Sequence, residues 1–137
     1  MVEFSGRLGE LKPALIRCTK AMRIFNERMG FDLANCLKTE IGILHYKQGG
    51  QVGMHIDTIG LCTRKAVMTI MLSDDTFEGG RFVIDTGMEN MPVDTSFDLS
   101  CGEMLCFPSY YPHCLEEVTS GERYILVVGF HGDQPFK

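Results

Sequence analysis

Residues 41–57, IGILHYKQGGQVGMHID, decide the fold. Ile41, Ile43, Leu44 and Tyr46 form a short strand-favouring run, and Gly49-Gly50 supplies a turn. Val52 then opens a second run that closes on His55-Ile56-Asp57. Two such runs joined by a glycine-containing loop read as paired strands, 41–47 and 52–57. Alternate residues of a strand face the same side. Leu44 and Tyr46 therefore share the inward face while His45 points away, and His55 and Asp57 aim at one point.

The same pattern repeats downstream. Short strands are expected at 66–73 (AVMTIMLS), 80–85 (GRFVID), 96–100 (SFDLS), 103–107 (EMLCF), 113–118 (HCLEEV) and 123–130 (RYILVVGF). Turn signals separate them at Gly79-Gly80, Cys101-Gly102 and Ser120-Gly121. Upstream the period changes. Leu8, Leu11, Leu15, Cys18, Met22, Phe25 and Met29 recur at steps of three and four, one apolar stripe on a helix. Pro13 suits a first helical turn, which places the start near Lys12, and Gly30 is a natural stop. Eight short strands behind one helix predict a mainly β protein, a jelly roll (double-stranded β-helix) with an N-terminal helix packed on the sheet. Loops at 58–65 and 86–95 would frame the mouth of the barrel.

With 137 residues, 45% of them hydrophobic, the chain has material for one core and too little for two ordinary domains. The expectation is a single domain, 1–137, with 1–39 as helical support and 40–132 as the jelly-roll core. No run of 18 apolar residues occurs, so no membrane partner is expected. The first residues, MVEFSGRLGELK, lack a basic patch followed by an apolar stretch, which favours a soluble, cytoplasmic protein. A net charge of −5 without a Lys/Arg cluster disfavours nucleic acid as a partner. The six cysteines, at 18, 36, 62, 101, 106 and 114, contain no CxxC pair and several sit in apolar patterns. They read as reduced thiols; a Cys/His zinc site using Cys62 or Cys114 is the weaker alternative.

His113 opens a later strand, and Arg123 follows ten residues on. In a rolled sheet, His113 can meet His55 and Asp57 at one open end. Two imidazoles and a carboxylate form a ligand face that leaves coordination positions open, the arrangement of non-haem Fe(II) oxygenases. Ligand softness alone admits Fe(II), Mn(II), Co(II), Ni(II) or Zn(II). Arg123 tips the choice. It shares a face with Ile125 and Val127 on a strand that is apolar on both sides, so its charge needs an anion. A carboxylate matches the guanidinium in two hydrogen bonds. The competing readings pair Arg123 with Glu122, Glu116 or solvent. Tyr46 is a second candidate for the same anion, and His45 and His131 read as structural.

Several ordered segments carry a family likeness. They are Tyr46-Lys-Gln-Gly49 with His55-Ile-Asp57, Arg64 through Asp74 (RKAVMTIMLSD), Gly79-Gly80-Arg-Phe-Val, Gly102 through Phe107-Pro before His113, and Val118-Thr119 with Gly121 and Arg123. Over about residues 41 to 130 the chain resembles the 2-oxoglutarate/Fe(II)-dependent dioxygenases, and among them the prolyl 4-hydroxylase-like subfamily. The resemblance implies Fe(II) on His55, Asp57 and His113. It also implies 2-oxoglutarate on Arg123, with Tyr46 bonded to the same carboxylate. Met71 and Val52 stand where many members carry aromatics, and the N-terminal region is short for the family.

The implied activity is hydroxylation of a prolyl residue in a peptide or protein, with conversion of 2-oxoglutarate and O2 to succinate and CO2. Ascorbate is a candidate addition and a small-molecule substrate the alternative. Two rival readings are a cupin-type metal enzyme that does not use 2-oxoglutarate and a non-catalytic jelly-roll binding module.

Overall fold

A computed structural model of the chain describes residues 8–31, 33, 38–74, 76–87 and 95–136. It opens with helix α1 (Leu8–Met29), which starts a turn earlier than Lys12 and carries Pro13 inside it. Proline removes one N–H and crowds one carbonyl, but the ladder on either side of it continues. Gly30 ends the helix as expected: at φ 67° its N–H donates to the Asn26 carbonyl at 2.8 Å, the left-handed cap that glycine adopts without strain. Cys18 and Met22 are buried, with Ala21 and Phe25 packed beside them.

Ten strands follow among the described residues: β1 (Lys38–Tyr46), β2 (Val52–His55), β3 (Arg64–Met71), β4 (Glu78–Gly79), β5 (Phe82–Ile84), β6 (Thr95–Phe97), β7 (Met104–Pro108), β8 (His113–Leu115), β9 (Val118–Ser120) and β10 (Arg123–His131). One four-stranded sheet has the order β1-β10-β3-β7, and a second has β2-β8-β5-β6. All pairings are antiparallel. The jelly roll predicted from sequence is therefore present, with two differences.

The run 113–118 divides into β8 and β9, and β9 leaves the second sheet to pair with the short β4. Gly79 and Gly80 make this detour sterically feasible. Both have positive φ, 72° and 62°, and a Cβ on Gly79 would stand 2.4 Å from the Glu117 carbonyl oxygen. The second difference lies in β2, which stops at His55 rather than Asp57. Of the loops expected to frame the mouth, 58–65 is described while 88–94 lies outside the described residues.

Strand alternation sorts the first sheet into two faces. Ala66, Met68 and Ile70 of β3 and Leu126, Val128 and Phe130 of β10 face α1 and form one buried cluster with Cys18 and Met22. Val67 faces the other way, toward Phe82, Ile84, Phe107 and Leu115 between the two sheets. Each fully buried side chain of this size stabilises the fold by about 1.5–3 kcal/mol. No described helix is long and apolar enough to cross a membrane.

Candidate metal centre

A cavity of about 610 Å³ lies between the sheets. Its wall includes Tyr46, Arg123, Ile125 and Val127 from the first sheet and His55, Phe82 and His113 from the second. The β1–β10 register explains the first group. Tyr46 pairs with Arg123 and Leu44 with Ile125, so these residues alternate inward together.

His55 and His113 are directly paired across β2 and β8. Their rings lie 4.3 Å apart between centroids. Asp57, two residues past the end of β2, returns to the same point: one carboxylate oxygen is 3.4 Å from Nε2 of His55 and the other 3.5 Å from Nε2 of His113. One ligand atom from each residue lies within 4.8 Å of the other two. The three predicted side chains are thus brought together. Among the described residues this is the cluster of donors able to hold a metal ion, and neither Cys62 nor Cys114 belongs to it. Cys18, Cys62, Cys101 and Cys106 are free thiols, and burial pushes Cys106 up to about 12, far from a thiolate ligand. Cys36 lies outside the described residues.

The tautomers of both imidazoles follow from their partners. His55 Nδ1 donates to the Gly53 carbonyl at 2.8 Å, and His113 Nδ1 donates to the Tyr111 carbonyl at 2.9 Å. A carbonyl only accepts, so each Nδ1 carries a proton, and in the neutral ring Nε2 is then the nitrogen whose lone pair faces the cluster. Metal-binding histidines are oriented by such bonds. The two imidazoles differ in exposure: the His55 side chain is 41% exposed and that of His113 only 7%. Burial holds His113 below its ordinary pKa and so favours the neutral, coordinating form; the Tyr111 bond and Asp57 oppose this shift. Sequence reasoning missed the two supporting carbonyls, because backbone acceptors leave no mark in residue type.

Arg123 is 2% exposed, and its Nε and Nη1 are buried without a hydrogen-bond partner. The partners considered from sequence are engaged elsewhere: Glu116 takes Arg81, while Glu122 takes His45 and Tyr124. Burial lowers the Arg123 pKa, opposed by Tyr46, whose ring centre is 5.8 Å from the guanidinium carbon. Gly80 lies directly behind, where a Cβ would stand 3.1 Å from Arg123 Cδ. A buried guanidinium with idle donors is costly unless an anion meets it. The cavity therefore pairs a mixed N/O metal face with a cationic site. This fits a metal ion together with a carboxylate-bearing cosubstrate.

A family model described as "2OG-Fe(II) oxygenase superfamily" matches residues 41–131. The chain belongs to the 2OG-Fe(II) oxygenase superfamily. Enzymes of this superfamily use Fe(II), 2-oxoglutarate and O2, a set that the donor cluster and Arg123 suit. Among relatives, a PKHD-type hydroxylase of Prochlorococcus marinus strain MIT 9312 is 36% identical over 80 residues, 56% of this chain and 34% of that protein. The chain thus matches about a third of the length of that relative. A prolyl-4-hydroxylase of Pseudomonas putida superposes with a TM-score of 0.77 at 16% identity, covering 98% of this chain and 72% of that one. A Trichoplax adhaerens prolyl hydroxylase, solved with a hypoxia inducible factor peptide fragment, gives 0.62 at 18% identity over 70% of this chain and 45% of that one. At these identities the solved structures establish the fold.

Other side chains fall outside the predicted roles. His45 stacks on Tyr124 at 4.1 Å on the outer surface. His131 is buried near the far end of the cavity. Its Nδ1 lies 2.9 Å from the Thr63 hydroxyl and its Nε2 3.3 Å from Glu40. Glu40 is ion-paired with Arg64, and both line the cavity. This polar end was not read from sequence. The signal was present in Glu40, which lies on the Tyr46 face of β1 at even spacing.

Proposed function

We propose that this oxygenase is an Fe(II)/2-oxoglutarate-dependent hydroxylase acting on a prolyl residue in a peptide or protein. Residues 40–132 would form its catalytic jelly roll and 1–39 its helical support. The observation that carries the reading is the buried, unpartnered Arg123 guanidinium in the same cavity as the His55, Asp57 and His113 donors.

In this reading, His55 and His113 hold Fe(II) through Nε2 and Asp57 through its carboxylate. Arg123 takes the distal carboxylate of 2-oxoglutarate, and Tyr46 donates its phenol proton to the same group. Val67, Phe82, Phe107 and Leu115 keep the chamber apolar and exclude water, which strengthens these polar contacts. The bound metal and cosubstrate supply oxygen activation, coupled to conversion of 2-oxoglutarate to succinate and CO2. The peptide or protein substrate is supported by the peptide-bound prolyl hydroxylase of the same fold.

Titration calorimetry of Mn(II)-loaded protein with 2-oxoglutarate tests the anion site. Binding by the wild type and its loss in Arg123→Met are expected; equal binding by both would remove Arg123 from the role. Mass spectrometry of a proline-containing peptide panel incubated with Fe(II), 2-oxoglutarate and O2 tests the substrate class. The expected product is a prolyl residue carrying one added oxygen. Oxygen gain confined to free amino acids or small metabolites would overturn the peptide assignment.

A further inference from the structure

Asp57 lies beyond the end of β2, so no strand ladder holds the carboxylate that faces both imidazoles. Its backbone is tied elsewhere: the Asp57 N–H donates to the Ser109 carbonyl at 2.9 Å. Ser109 is 0% exposed, in the turn that joins β7 to β8. All of its polar groups are in use. Its N–H donates to the Lys65 carbonyl at 3.0 Å, and its hydroxyl donates to the Arg64 carbonyl at 2.5 Å. One residue therefore connects the start of β3 in the first sheet to the loop that carries Asp57. The same turn closes through the Tyr111 N–H on the Pro108 carbonyl at 3.0 Å, and its Tyr111 carbonyl fixes His113.

We propose that Ser109 is a positioning residue for the metal centre: its enclosed hydroxyl locks the Pro108–Pro112 turn onto β3, and the locked turn holds Asp57 at the donor cluster. This inference rests on the proposed ligand assignment of Asp57. A hydroxyl inside the protein is retained only where it finds a partner, and here the partner is a backbone carbonyl at the start of β3, the neighbour of β7 in the first sheet. A serine adds nothing to apolar packing that alanine would lack. What it adds is a directional tether, and metal affinity depends steeply on ligand placement. Groups that orient ligands from behind typically change affinity by about 10–100-fold when removed.

The test is Mn(II) titration of the full chain, followed by the paramagnetic resonance signal of the free ion, well below the unfolding temperature. Ser109→Ala is expected to weaken Mn(II) binding by about 10–100-fold while keeping a cooperative unfolding transition. The visible bands of bound Co(II) should change shape, because the carboxylate ligand is displaced. In an Asp57→Ala background, with only the two imidazoles left to hold Co(II), adding Ser109→Ala should cost much less than it does in the wild type, because only the Tyr111 support of His113 remains to be loosened. Ser109→Cys, close in size with a weaker donor, covers the case in which the alanine variant does not fold and should show an intermediate loss. Wild-type affinity in the folded Ser109 variants would overturn the proposal, as would an equal loss in the Asp57→Ala background. Failure of the underlying assignment shows separately: His55→Ala and Asp57→Ala would then bind Mn(II) as the wild type does.

Discussion

The two faces of strand β10 are built from the same kinds of residue and do opposite things. Outward, Leu126, Val128 and Phe130 are buried against Cys18 and Met22 of the helix, and that face is filled. Inward, Ile125 and Val127 border the roughly 610 Å³ cavity, with Arg123 at the head of the row. The outer face contributes stability through packing. The inner face packs only in part, with Val127 against the inter-sheet cluster, and also buries a charge without a partner, which lowers stability until a ligand arrives. Strained or under-satisfied polar groups of this sort mark places where folding has yielded to function.

Removing a donor from the inner chamber should have the largest effect. His113→Ala or His55→Ala should weaken Mn(II) binding by more than the roughly 100-fold that follows loss of an outer-shell partner. Substrate-dependent succinate formation should fall to background. Normal turnover in either purified variant would refute the ligand assignment.

Arg123→Met is next in size and moves two quantities in opposite directions. Removing one member of a buried charge pair costs about 2–5 kcal/mol of binding, so the 2-oxoglutarate dissociation constant should rise at least about thirtyfold. The ligand-free protein should become more stable, because an unpaired buried charge gives way to an apolar side chain of similar length. Thermal melts with and without 2-oxoglutarate check both. A destabilised ligand-free variant would show that the guanidinium has a structural partner.

Leu126→Ala probes the outer face. Cavity formation should cost about 2–5 kcal/mol of stability, while the affinity for Mn(II) and 2-oxoglutarate in the folded protein stays within about twofold. Chemical denaturation gives the first number and calorimetry the second. A parallel collapse of ligand affinity would mean that the two faces are not separable.

The outer face was the more legible from sequence. The three–four stripe through Cys18, Met22 and Phe25 and the alternation of Leu126, Val128 and Phe130 record apolar burial directly, and packing depends on little else. The convergence of His55, Asp57 and His113 was legible because these donor types are chemically distinctive and rarely accidental in that order. Less legible was how they are held. The pattern VGMHID reads as one strand through Asp57, yet the ladder ends at His55, and a Ser109 carbonyl replaces it. Such a bond depends on a turn some fifty residues away and leaves nothing in the local spacing. The split of β8 from β9 was hidden likewise, since glycine torsions at Gly79 and Gly80 redirect the chain without altering the hydrophobic pattern.

The smallest effect concerns the far end of the inner face. Glu40 is held down at about 2, first by its bond to Arg64, which outweighs the opposing cost of burial, with His131 adding a smaller pull in the same direction as Arg64. Its pKa in the unfolded chain is near 4.3. A carboxylate depressed in the folded state stabilises it above the unfolded value. That contribution fades as pH falls from about 4.5 toward 2, where the unfolded chain takes up the proton first. The Glu40 side chain is 40% exposed, so water screens the pair and its contribution should stay under about 1 kcal/mol. Glu40→Gln should therefore melt slightly below the wild type at pH 6, and the gap should narrow by pH 3 and close near pH 2, where the folded wild type also takes up the proton. A gap that persists unchanged at pH 3 would assign the difference to packing at the cavity rim rather than to the ion pair. The two faces of the first sheet would then be more alike than the charges on the inner one imply.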